Sequence, residues 1–213
     1  MNPDDPTFQK AKRIKSGKAQ PDFEFALLSE WTKAEFNATL INADVYFYKQ
    51  MSNPTQLRLI FADAEDFDRI PVFWKDRLAT FGEKFKAILT ENKIQKYDHF
   101  DFTKMDVDYS WLNELCFREC IYNLDTAAIK KEFNACHIWL IQPFGSQIQV
   151  FYQTNDDIRK FEASGVSDQI KSRVKSLCLA NDEFNVLQDR TLEFLFDSKE
   201  NFDKAGSWYN YYK

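Results

Sequence analysis

Hydrophobic and polar positions alternate most clearly between His137 and Gln153. The runs His137 to Gln142 and Gln147 to Gln153 are rich in β-branched and aromatic residues. They flank Pro143, Phe144, Gly145 and Ser146, which predicts a β-hairpin closed by a four-residue loop. In the second strand Ile148, Val150 and Tyr152 fall on one face, and Gln147, Gln149 and Gln153, with Phe151 among them, on the other. That strand is expected to bury one face and expose the other. The first strand is apolar on both faces, with Ile138 and Leu140 opposite Trp139 and Ile141, so the sheet should extend beyond this pair.

Elsewhere the period changes to that of a helix. Phe25, Leu28, Trp31 and Phe36 predict an amphipathic helix over Phe23 to Phe36, and Phe73, Leu78, Phe81, Phe85, Ile88 and Leu89 a longer one over Val72 to Asn92, with Gly82 inside it. Residues 38 to 49 and Gln56 to Ala62 read as two strands around an Asn53-Pro54 turn, a second candidate hairpin. Residues 97 to 109 read as an irregular loop or short edge strand. Ser110 is the expected N-cap of the helix that follows, and Thr126 caps a short helix to Phe133. After the central hairpin, Thr154 and then Ser167-Asp168 cap two helices separated by Ser164-Gly165, and Thr191 to Asp197 is a last strand. The terminal GSWYNYYK reads as an edge strand or a packed aromatic tail. No internal repeat at a fixed period is evident.

Helices and strands mixed without a βαβ rhythm, together with two hairpins, predict an α+β fold. The expectation is an antiparallel or mixed sheet of about five or six strands packed against several helices. Residues 21 to 213 are read as one domain, the only candidate boundary being 93 to 109. Residues 1 to 20, net +3 from Lys10, Lys12, Arg13, Lys15 and Lys18 against Asp4 and Asp5, read as a flexible basic arm. With a net charge of −5 for the chain, the remainder carries −8.

Aromatic residues make up 16% of the chain, enough that much of the core must be aromatic and some rings must reach the surface. Five glycines leave no phosphate-cradling loop, and no cofactor is assigned. The start, MNPDDPTF, has no apolar leader segment, and no run approaches the roughly 18 apolar residues of a membrane span. Four cysteines without a leader point to free thiols in the cytoplasm.

Candidate chemistry is sparse. Cys116 and Cys120 share a helix face, and Cys136-His137 would complete a four-ligand set, but the spacing is not that of a zinc knuckle and small apolar thiols suit a core. No metal site is assigned. His99 lies among Asp98, Asp101, Asp106 and Asp108, so His99 with Asp101 is the one acid/base or divalent-cation candidate, set against a solvated acidic loop. Asp63, Glu65, Asp66 and Asp68 read as a helix start favoured by the macrodipole, as a docking surface, or both. Trp208 and Tyr209, in the aromatic tail, suit either core cover or an interface.

The leading functional expectation is a cytoplasmic protein-binding protein for a basic partner, of the immunity type that occludes a bacterial toxin. Its contacts would be Asp63, Glu65, Asp66, Asp68, Asp98, Asp101, Asp106, Asp108, Trp208 and Tyr209, because carboxylates steer a basic partner while aromatic side chains hold it. The alternatives are an enzyme or divalent-metal protein using the His99 loop, and a nucleic-acid-binding accessory protein acting through residues 1 to 20. The balance of features leans away from an enzyme, from nucleic acid and from a membrane.

Overall fold

Two three-stranded sheets, rather than one larger sheet, organise the chain in the computed structural model, which describes residues 4–48, 55–70, 74–188 and 190–212. The Asn53-Pro54 turn and Val72-Phe73 lie outside the described residues. The chain divides into two compact units, Met1–Leu115 and Cys116–Lys213. The α+β class holds for both, with mixed rather than purely antiparallel pairing.

The first unit contains α1 (Pro6–Lys15), α2 (Phe23–Phe36), β1 (Leu40–Phe47), β2 (Thr55–Phe61), α3 (Ala64–Asp68), α4 (Trp74–Glu91) and β3 (Met105–Trp111). β1 and β2 form the expected antiparallel hairpin, and β3 returns parallel to β2 with Met105 opposite Thr55 and Trp111 opposite Phe61. Leu57, Leu59 and Phe61 of β2 pack against Phe25 and Leu28 of α2 and Phe81 and Phe85 of α4. Each fully buried ring or branched chain contributes about 1.5–3 kcal/mol. Gly82 belongs to this packing: a Cβ there would sit 3.0 Å from Met105 Cε, so its absence lets α4 lie close to β3.

Residues 1 to 20, expected as a flexible arm, contain α1, which covers the opposite face of the sheet. Asp5 caps α1 by accepting the Thr7 N–H at 2.9 Å, and Thr7, Phe8 and Ala11 are buried. Two of its cationic side chains are tied down too: Lys10 pairs with Asp22 at 2.8 Å, and Lys15 donates to Asn113 Oδ1 at 2.9 Å. A mixed stretch such as PTFQKAKRIK hides its buried stripe in the charge count, since the stripe is only Thr7, Phe8 and Ala11.

α5 (Leu112–Tyr122) leads into the second unit, which contains α6 (Thr126–Glu132), β4 (Ile138–Phe144), β5 (Gln147–Tyr152), α7 (Asn155–Ala163), α8 (Val166–Ala180), β6 (Glu193–Ser198), α9 (Lys199–Ala205) and α10 (Trp208–Tyr211). The hairpin is tighter than expected. β4 runs through Phe144, because an edge strand tolerates Pro143, and Gly145 at φ +61 makes the turn with Ser146. β6 joins β5 in parallel.

Both faces of β5 are covered, which alternation alone did not predict. Gln149 and Phe151 are as buried as Val150, because the tail forms α9 and α10 instead of an edge strand and lays Phe202, Trp208, Tyr211 and Tyr212 over them. Ser110 is another departure. It lies inside β3, opposite Ile60, because Met105, Val107 and Tyr109 continue an inward alternation to Trp111.

The two units repeat one order of elements: helix, antiparallel hairpin, two helices, a third strand parallel to the second, and a helix directly after it. Details recur as well. The middle strand ends at Phe61 or Tyr152, two residues before an N-cap, Asp63 or Thr154, whose side chain accepts the N–H of Asp66 or Asp157. Asp66 then accepts the Thr39 N–H just ahead of β1 at 3.0 Å, while Asp157 lies 3.8 Å from His137 just ahead of β4. Unequal hairpin loops and helix lengths keep this repeat from showing as a fixed period.

Candidate functional site

The connection from α4 to β3 forms a cleft in which a predicted site residue, Asp98, meets a concave apolar wall. α4 stops because Asn92 donates its backbone and side-chain N–H groups to Ile88 O, and Ile94 N–H reaches back to Leu89 O at 2.9 Å. Between them Lys93 adopts the left-handed backbone, φ +53, at the position where helices most often place glycine. The chain then turns through Gln95 and Asp98, and Phe100 N–H closes onto Tyr97 O at 2.9 Å.

A buried polar network fixes this turn. Tyr97 and Glu24 are both 5% exposed, and the phenol donates to Glu24 Oε1 at 2.5 Å. Lys96 donates to the same oxygen at 3.1 Å and to Asp22 at 3.4 Å. Burial alone would raise the Glu24 carboxyl, but the Tyr97 hydrogen bond, a backbone hydrogen bond and Lys96 outweigh it and hold it below the usual carboxylate range. Burial and the Glu24 hydrogen bond together push the Tyr97 phenol up, so it stays a donor.

The resulting cleft has a volume of about 650 Å³, within the range of ligand-binding pockets. Leu89, Ile94, Tyr97, Phe100 and Phe102 supply its apolar wall. The rings continue outward, with Phe100 6.0 Å edge-on from Phe47, which is 47% exposed, and His99 tilted against Phe100 at 4.1 Å. Lys86, Lys93 and Asp98 bring charge to the lining. Lys86 pairs with Glu83 at 2.8 Å, whereas the side chains of Lys93 and Asp98 are exposed and have no partner among the described residues.

The acidic residues singled out from the sequence do not form one site. Asp63 caps α3, and Asp66, 3% exposed, accepts from Thr39 and from Arg69 at 2.9 Å, while Glu65 and Asp68 remain exposed. Asp101 holds the 3-10 turn Phe102–Lys104 by accepting the Thr103 N–H at 2.9 Å. Asp106 and Asp108 are exposed, on the strand face opposite the core positions Met105 and Val107, and neither lines the cleft that Asp98 lines. Asp108 accepts the N–H of Tyr109, as Asp44 does for Val45 and Asp197 for Ser198, so an aspartate occupies a backbone donor on three edge strands.

Among the described residues no three His, Cys, Asp or Glu side chains converge as a metal site would require. Cys120 and Cys136 are core residues of the second unit. Trp208 is half-buried against Phe151 and Phe202, and Tyr209 is 73% exposed. Phe47, Ile94, Phe100, Phe102 and Lys93 carry no sequence-based expectation of their own, and Leu89 is expected only as part of a helix face. A lysine following a helix end where glycine is usual, and Phe-x-Phe inside an acidic loop, are the signals that mark them.

No helix among the described residues is long and apolar enough to cross a membrane. No family model matches the chain, and no curated protein or solved structure matches it.

Proposed function

We propose that this is a protein-binding protein that captures a basic partner, with the α4–β3 cleft at the centre of the interface. The observation that carries the reading is the meeting of an aromatic-walled cleft with Asp98, whose exposed carboxylate has no partner among the described residues. Aromatic rings around a pocket are the usual anchors of binding energy, and exposed carboxylates accelerate encounter with a basic surface. Asp101, Asp106, Glu65 and Asp68 are exposed in the same unit and add to its negative field. Occlusion of a basic active site, as by an immunity protein, is the finer form of this reading. The four free, buried thiols favour a reducing compartment such as the cytoplasm.

The test compares recovery of one partner from the producing cells by the wild type, by Asp98→Lys/Phe100→Ala and by Asp106→Lys/Asp108→Lys, each verified as folded by circular dichroism. Loss of the partner in the first variant with retention in the second supports the cleft. Equal recovery by the wild type and the first variant ends the reading.

A further inference from the structure

Resting on that reading, we infer that the cleft recognises the C-terminus of the partner chain, with an aromatic last residue on the apolar wall, its α-carboxylate on Lys93 and a preceding Lys or Arg on Asp98.

Lys93 carries the argument. A left-handed backbone is unfavourable for any residue with a Cβ, and the position just past a helix end is where glycine relieves it. Here the carbonyls of Ile88, Leu89 and Thr90 at the end of α4 already accept from backbone and Asn92 donors, so the Lys93 ammonium is not needed to cap them. An unfavourable backbone retained at a cleft, on a residue whose ammonium has no partner among the described residues, points to a residue kept for a ligand. That ammonium calls for an anion, and Asp98 for a cation. A basic partner offers few carboxylates beside its cations, but every chain ends in one, and capture of a terminal carboxylate is an established recognition mode.

The repeated unit supplies an internal comparison. The corresponding connection after α8 is drawn onto its core: Asp182 accepts the N–H groups of Val186 and Leu187 at 2.9 and 2.8 Å, Leu187 is buried, and Arg190 covers Phe117 at 4.8 Å. In the first unit the same connection leaves Ile94, Phe100 and Phe102 lining a cleft.

The probe is a fluorescein-labelled octapeptide, Gly-Ser-Gly-Ser-Gly-Lys-Gly-Trp, prepared as the free acid, as the C-terminal amide, and with Lys replaced by Ser, read by fluorescence polarisation. The acid is expected to bind roughly tenfold more tightly than the amide, the gain of one charge-assisted hydrogen bond. Lys93→Gly should erase the acid-to-amide difference while raising Tm, which separates lost recognition from lost folding. Asp98→Asn should erase the difference between the Lys and Ser peptides. Equal binding of acid and amide, no binding of either, or a ratio unchanged in Lys93→Gly overturns the inference. A partner still lost on Asp98→Lys/Phe100→Ala would then leave the cleft reading standing without it.

Discussion

Replacing Tyr97 by Phe removes one oxygen and leaves a carboxylate in the core. Glu24, 5% exposed, loses its 2.5 Å donor and keeps Lys96, which is 57% exposed and so a weaker compensation than the short contact implies. A hydrogen bond to a buried charged group is worth about 1.5–3 kcal/mol, so the variant should lose about 2 kcal/mol. In a unit of this size that lowers Tm by roughly 6–10 °C, measured by thermal circular dichroism. Because the Glu24 carboxyl is held low in the fold, its contribution is complete above the ordinary carboxylate range and disappears as pH falls through the folded value. The gap between wild type and Tyr97→Phe should therefore be full at pH 7 and narrow as pH falls below about 4. In the Glu24→Gln background the same change should cost distinctly less. A gap absent at pH 7, or constant down to acid pH, would refute the network.

Lys93→Gly should raise stability by about 0.5–1 kcal/mol in urea denaturation, the strain of a side chain in a left-handed backbone; a loss would mean that the lysine stabilises the fold. Asp66→Ala should cost about 1–3 kcal/mol by the same assay, since it orphans the Thr39 N–H, with Arg69 adding little from its exposed position. All four thiols should react slowly with a thiol reagent in the native state and rapidly in denaturant, since each is buried and burial pushes the Cys178 thiol up to about 11. Fast native labelling of Cys178 would contradict the packing around α8.

Periodicity located the helix Phe23–Phe36 to the residue and both hairpins to within a few positions, because local hydrophobic spacing and alternation decide those elements. It could not assign β3 and β6 to separate sheets. Each pairs in parallel across a two-helix crossover, and Met105, Val107 and Tyr109 carry no local mark of the strand they will meet. Nor could it show that Gln149 is buried, because the groups that cover it lie some sixty positions further on, where Tyr212 donates to its side chain. Charge density pointed to Asp63 and Asp66, whose role is local: short carboxylates capping a helix and a strand start. Asp98 alone of that set lines the cleft, and the apolar residues beside it resemble ordinary core positions until the end of α4 is placed.

Hydrogen exchange on the protein alone and with its captured partner tests the cleft most directly. Slowed exchange centred on residues 93–103, with the outer positions of β3 and the α9–α10 region unchanged, is the predicted footprint. Protection confined to those other surfaces, with 93–103 unaffected, would contradict the account.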